Sequence, residues 1–168
     1  MQQSMSNKWL WAALLYLSSM TFVFGQQKFT PKTYIDEYKS VAQQMMRETG
    51  VPASVILAIA MHESAYGNSR IARHLNNHFG IKGKNNSKTI RSAYKGYEST
   101  LASYQDFIDF LKRRKSTQSL FDKYAATDYK SWVVGIARSG YSVTKDWRNK
   151  VLSTISRYNL DEYDKEVN

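Results

Sequence analysis

The sequence contains no cysteine and only two prolines in 168 residues. Without cysteine the fold cannot lean on disulfides and must be held by its apolar core. A P-loop, a dinucleotide fingerprint and a Gly-x-Ser-x-Gly nucleophile elbow are all missing. The chain also lacks internal repeats, low-complexity tracts and Pro/Gly-rich linkers. Acidic residues are scarce, 14 against 24 Lys and Arg, which gives a formal net charge of +10. Such a chain suits an anionic partner, whether nucleic acid, a membrane surface or a cell-wall polymer.

Lys8 is followed by an uncharged apolar run from Trp9 to Phe24 that closes with "VFG". The pattern predicts a secretory signal peptide over residues 1–25, its apolar stretch too short to span a membrane comfortably. No cysteine follows it, which excludes a lipoprotein anchor. Residues 26–168 then form one domain with a net charge of +9, Lys8 being lost. A secreted or periplasmic protein is expected, with no stable membrane insertion after cleavage.

Helical signals dominate that domain. Thr30 as N-cap, Pro31 at the first helical position and Gly50 as stop frame a helix with Ile35, Tyr38, Val41, Ala42 and Met45 at helical spacing. Pro52 opens a second helix, apolar nearly all round and so buried, that Gly67 is expected to end. A short third helix follows, capped by Asn68 or Ser69. From Phe79 to Arg91 the glycines, the Asn85-Asn86 pair and short β-prone runs predict a small hairpin lobe. Helices then resume: one with Leu101, Tyr104, Phe107, Ile108 and Leu111 inward, a short one around "SLFDKYA", one capped by Asp128 with Gly140 as stop, and one capped by Thr144.

The apolar second helix runs straight into Glu63. Burial and the negative end of a helix dipole both disfavour an ionised carboxyl, and glycosidic cleavage needs a group that brings a proton to the leaving oxygen. The alternative is a buried glutamate paired with Arg70, Arg73 or a helix cap. "HESAY" begins like a zinc-protease helix, but Tyr66 stands where the second histidine of H-E-x-x-H belongs. His74 and His78 lack partners at ligand spacing, so neither a metal site nor a cofactor is expected.

The stretch "ILAIAMHESAYGNSRIARHLNNHFGIKG" resembles the catalytic segment of the glucosaminidase family of peptidoglycan hydrolases, glycoside hydrolase family 73. The likeness continues through "YKGYESTLASYQDFIDFL", "LFDKYAATDYKSWVVGIARSGYSVTKDW" and "RYNLDEYD", and so covers nearly all of residues 26–168. It implies a mainly α, lysozyme-like fold with a small, shortened β-hairpin lobe. It also implies cleavage of the β-1,4 bond after N-acetylglucosamine in peptidoglycan. Glu63 matches the family's general acid, and Tyr141, in "SGYSVT", an aromatic position near the reaction centre. Asn77 and Phe79 fall in the cleft-lining motif, although Phe79 reads equally well as core.

One departure stands out: no Asp or Glu occurs between Glu63 and Glu98, where many relatives carry a second acid. A two-carboxylate mechanism needs a base or nucleophile across the sugar ring. Glu98 is the next acid along, although a charge at a helix N-terminus explains it as well. The open routes are nucleophilic help from the substrate's acetamido group, a single-acid route with Tyr66 or Tyr141 orienting groups, or glycan binding without cleavage. The leading expectation is a monomeric endo-β-N-acetylglucosaminidase acting on peptidoglycan glycan strands. Its alternatives are a muramidase or lytic transglycosylase and a non-catalytic wall-binding or assembly module. The basic run Lys112–Lys115 reads as a solvated helix end, and with an export signal no nucleic-acid partner is expected.

Overall fold

Thr30 and Pro31 start α1 (Pro31–Thr49) by a reciprocal cap: the Thr30 hydroxyl accepts the Thr33 N–H while the Thr33 hydroxyl accepts the Thr30 N–H. Gly50 ends it at φ +80°, a left-handed conformation that glycine adopts without steric cost. The computed structural model describes residues 28–165, so the predicted signal segment lies outside the described residues. Eight α-helices and one 3₁₀ turn make up nearly all the regular structure there. After α1 come α2 (Ala53–Ser64), α3 (Arg70–Leu75), α4 (Thr100–Arg113), α5 (Lys115–Gln118), α6 (Leu120–Lys123), α7 (Tyr129–Arg138) and α8 (Trp147–Arg157), then the 3₁₀ turn Leu160–Asp164.

Helix α2 is the axis of the fold. Every residue from Ala53 to Met61 is buried, and α1, α7, α8 and the 3₁₀ turn pack around it. Such burial is what a sequence apolar nearly all round demands, because it leaves almost no face for water. Pro52 at its N-cap brings no side-chain acceptor, and Asp164 replaces one from the far end of the chain. The Asp164 carboxylate accepts the Ser54 N–H at 2.8 Å and the Ser54 hydroxyl at 2.6 Å.

Three details differ from the sequence expectations. Helix α2 stops at Ser64, not Gly67, because Ala65 takes the left-handed conformation at φ 50°. Helix α8 starts at Trp147 with Asp146 as N-cap, while Thr144 contributes only its backbone carbonyl. Leu101, at the open first turn of α4, is 56% exposed, and Ser103, Tyr104, Phe107, Ile108 and Leu111 form the inward face. The small β lobe is reduced to one antiparallel bridge among the described residues, Lys82 with Tyr94.

Two buried titratable groups oppose each other in pH. Burial pushes Asp164 up to about 6, and burial pushes His78, which shares a 2.6 Å hydrogen bond with the Tyr34 hydroxyl, down to about 4. A raised acid costs the fold stability above its folded value, and that cost disappears as pH falls from about 6 towards its unfolded value near 4. A depressed histidine works the other way: the stability present above its unfolded value near 6.5 is lost as pH falls towards 4. Each amounts to about 2 to 3 kcal/mol, and the windows overlap. Asp164→Asn is therefore expected to unmask the histidine. Urea midpoints of the variant should fall more steeply from pH 6.5 to 4 than those of the wild type, and parallel profiles would refute the coupling.

Candidate active site

Glu63 lies in the last turn of α2, and the backbone leaves the helix immediately after it. Ala65, Tyr66 and Gly67 all have positive φ, at 50°, 57° and 76°. Ser64 secures this reversal, its hydroxyl donating to the Ala60 carbonyl and accepting the Gly67 N–H. Two consecutive non-glycine residues in the left-handed region store strain of order 1–3 kcal/mol each. The effect is to turn the chain away and leave the Glu63 carboxyl, half-buried, on an open cleft.

Its two oxygens have different neighbours. Oε1 accepts the indole N–H of Trp147, a residue only 2% exposed at the start of α8, at 2.8 Å. Oε2 lies beside Gly80, where a Cβ would stand 3.5 Å from it. Gly80 has φ +65°, so the position both favours glycine and keeps the carboxyl uncovered on that side. The Trp147 ring also packs at 5.2 Å from that of Tyr141, whose hydroxyl donates to the Phe79 carbonyl at 2.9 Å. Burial and the nearby Glu63 carboxylate hold the Tyr141 hydroxyl well above its ordinary value, so it remains a donor.

The loop carrying Gly80 is fixed from behind. The buried Asn77 amide donates to the carbonyls of Ile81 and Lys95, and its oxygen accepts the N–H groups of Phe79 and Ile81. Phe79 stacks on Phe107 at 4.3 Å between ring centroids. His78 and Tyr104 share the Tyr34 hydroxyl in a buried chain of hydrogen bonds.

The cleft has a volume of about 470 Å³ and carries a second acid with three cations. Asp106, whose side chain is 13% exposed, accepts from Lys95 at 2.9 Å, Arg113 at 3.1 Å and the Tyr97 hydroxyl at 2.7 Å. Burial pushes its carboxyl up, but these three donors outweigh burial and hold it below the usual carboxylate range. Lys82 is the third cation. Gly140, Ser142 and the fully exposed Val143 complete the rim. An oriented half-buried carboxyl on an open groove fits acid catalysis on an extended polymer.

Comparison with known proteins decides the family. The model of the Glucosaminidase family, described as mannosyl-glycoprotein endo-β-N-acetylglucosaminidase, matches residues 39–160. The chain belongs to the Glucosaminidase family. It is 31% identical over 156 residues to the exo-glucosaminidase LytG of Bacillus subtilis, covering 82% of this chain and 54% of that protein. It is 25% identical over 178 residues to the peptidoglycan hydrolase FlgJ of Vibrio cholerae, covering 92% and 53%. The chain thus spans about half the length of these relatives. The catalytic domain of the autolysin Auto from Listeria monocytogenes superposes with a TM-score of 0.64 at 24% identity, covering 96% of this chain and 99% of that one. The glycoside hydrolase domain of FlgJ from Salmonella typhimurium gives 0.63 at 23%, covering 78% and 89%. These likenesses show the mainly helical, lysozyme-like fold.

On this Glucosaminidase-family frame, the sequence-predicted residues divide into two groups. Glu63, Phe79 and Tyr141 meet on one cleft. Tyr66, Asn77 and Glu98 do not line it. The Tyr66 ring meets that of Tyr158 edge-on, the Asn77 amide is spent on backbone groups, and exposed Glu98 sits just before the Ser99 cap of α4 in a separate hollow with His74 and Asn85. Sequence reasoning missed Trp147, Gly80, Asp106 and Arg113 as members of the site. Arg113 belongs to the basic run read as solvated, yet its guanidinium turns into the cleft. The signals were Trp147 inside "SGYSVTKDW", six residues after Tyr141, and Gly80 beside Phe79 in "HFGIKG".

Proposed function

We propose that this chain is an exported peptidoglycan hydrolase that cleaves the β-1,4 bond after N-acetylglucosamine, with Glu63 as general acid. The observation that carries the reading is Glu63 itself, held at one oxygen by Trp147 and left bare at the other beside Gly80 on an open cleft. Family membership adds the N-acetylglucosaminidase chemistry, and the relative FlgJ of Vibrio cholerae, a peptidoglycan hydrolase, supports the substrate class. No helix among the described residues is long and apolar enough to cross a membrane.

The chemistry needs one proton delivered and one nucleophile. Glu63 gives its proton to the glycosidic oxygen as the C1–O bond breaks, and positive charge develops on the sugar ring. Asp106 is tied by two cations and a tyrosine, a poor arrangement for a nucleophile. The acetamido oxygen of the bound N-acetylglucosamine is the better candidate: it closes on C1, and water then opens the ring and returns a proton to Glu63. Tyr141 acts as a positioning residue, tying the Phe79–Gly80 backbone across the cleft from its own loop.

The test is digestion of purified peptidoglycan followed by borohydride reduction and mass spectrometry of the fragments. Reduced N-acetylglucosamine at the new ends is the expected result. Reduced muramic acid, or its anhydro form, would reassign the bond, and binding without fragments would make the chain a wall-binding module. A thiazoline mimic of the cyclised acetamido intermediate should inhibit competitively. Its failure to do so would remove the substrate-assisted route.

A further inference from the structure

We propose that Lys82 and Arg113, braced by Lys95 and Asp106, form a binding site for a carboxylate of the substrate within the cleft that holds Glu63. The inference rests on the peptidoglycan reading and deepens it.

Three cations in this cleft need a reason. The bond-breaking step builds positive charge at C1, so nearby ammonium and guanidinium groups work against it rather than for it. The glycan backbone is itself uncharged and gives them nothing to pair with. Asp106 compensates only part of the excess. It is the least exposed of the charged groups in that cluster, and it anchors Lys95 and Arg113 through separate oxygens. Arg113 uses a single terminal nitrogen for this contact, and its side chain is 60% exposed. The rest of its planar fork of donors remains open for a second, bidentate acceptor. Lys82 is exposed and has no hydrogen-bond or ion-pair partner among the described residues.

The backbone makes this a fixed arrangement. Lys82 and Tyr94 form the antiparallel bridge, and the Lys95 N–H donates to the Ile81 carbonyl at 2.9 Å. The Asn77 amide binds the carbonyls of both Ile81 and Lys95. Both lysines therefore ride on one rigid lip, and Asp106 holds Arg113 against it. Cations whose backbone positions are set in advance have only their side chains to order on binding, which favours recognition of a carboxylate.

Peptidoglycan offers such a carboxylate from two sources beside the scissile bond. One is the peptide stem on the muramic acid lactyl group. The other is the lactyl carboxylate itself, exposed once a stem has been removed.

The experiment compares wild type with the Lys82→Gln/Arg113→Gln double variant, and with Lys112→Gln/Lys115→Gln as a charge-matched control outside the cleft. Substrates are stem-bearing peptidoglycan, glycan strands stripped of stems, and peptidoglycan whose carboxylates have been amidated. The double variant should lose about 10- to 30-fold in kcat/KM on a carboxylate-bearing substrate, mainly through KM. The control should lose little, and amidated material should abolish the difference. A loss on stem-bearing material assigns the site to the stem, and a loss confined to stripped strands assigns it to the lactyl group. Equal KM for double variant and wild type on both would overturn the proposal. Co-sedimentation with insoluble peptidoglycan gives the same comparison without turnover. If wild type cuts nothing, the hydrolase reading fails, while selective loss of sedimentation by the cleft variant still supports the carboxylate site.

Discussion

Glu63→Gln is expected to lower turnover on peptidoglycan by about three orders of magnitude while leaving KM and folding nearly unchanged. Glutamine keeps the shape of the side chain, and its amide oxygen can still accept the Trp147 indole N–H that glutamate accepts at 2.8 Å. What disappears is the transferable proton. A positioned general acid contributes about 10²- to 10⁴-fold, and the oxygen it protonates here is a poor leaving group without help. The substitution also leaves the left-handed turn at Ala65 and Tyr66 untouched, so the helix end keeps its strain and its direction. Steady-state kinetics on borohydride-labelled fragments, with a urea melt beside them, separate the two effects. Retained turnover in a folded variant would show that Glu63 is not the acid. Loss of turnover with a lowered urea midpoint would show that the carboxyl is structural.

Local physics made much of the scaffold legible. Thr30, Pro31 and Gly50 bound α1 because each acts within its own turn, and Ser69 and Asp128 cap their helices for the same reason. The apolar run before Glu63 could only be a buried helix. The end of that helix was misjudged because glycine is the residue expected in a left-handed conformation, whereas the Ser64 bonds on either side force Ala65 into it. Leu101 sits on the apolar stripe by period, but it ends up on the exposed rim of a hollow between α4 and the Val41–Met45 stretch of α1.

The site was legible only as far as its single-residue chemistry. Glu63 stood out as an acid in the wrong company, and the family motifs added Phe79 and Tyr141. Asp106 lies 43 positions further on, and nothing in its own stretch of sequence marks it. Its meaning comes from Lys95 and Arg113, one brought from a loop and one from two turns along the same helix. Spacing along a chain cannot show which charges a cleft will gather. Asn77 shows the converse: its motif pointed to the cleft, but a buried amide must satisfy its own hydrogen bonds first, and four backbone groups do so.

Trp147→Phe should cost about 10- to 100-fold in kcat with little change in KM. The indole has one donor, and it is given to Glu63 across 84 residues of sequence. Phenylalanine retains a ring against Tyr141 but offers nothing to Oε1, so the carboxyl is free to rotate away from the scissile oxygen. Misplacing a reacting group by about 1 Å can cost about 10²-fold. Trp147 is also core, packed at the start of α8 against the end of α2, so a simple loss of packing must be told apart from loss of orientation. A double-mutant cycle does this. If Trp147 works through the Glu63 proton, removing it from Glu63→Gln costs nothing further in kcat, because the variant has no proton left to aim. If its role is packing, the two losses multiply and the urea midpoint falls equally in both backgrounds. The expected non-additivity would tie the end of α8 to the chemistry and explain why a tryptophan is buried beside a carboxylate.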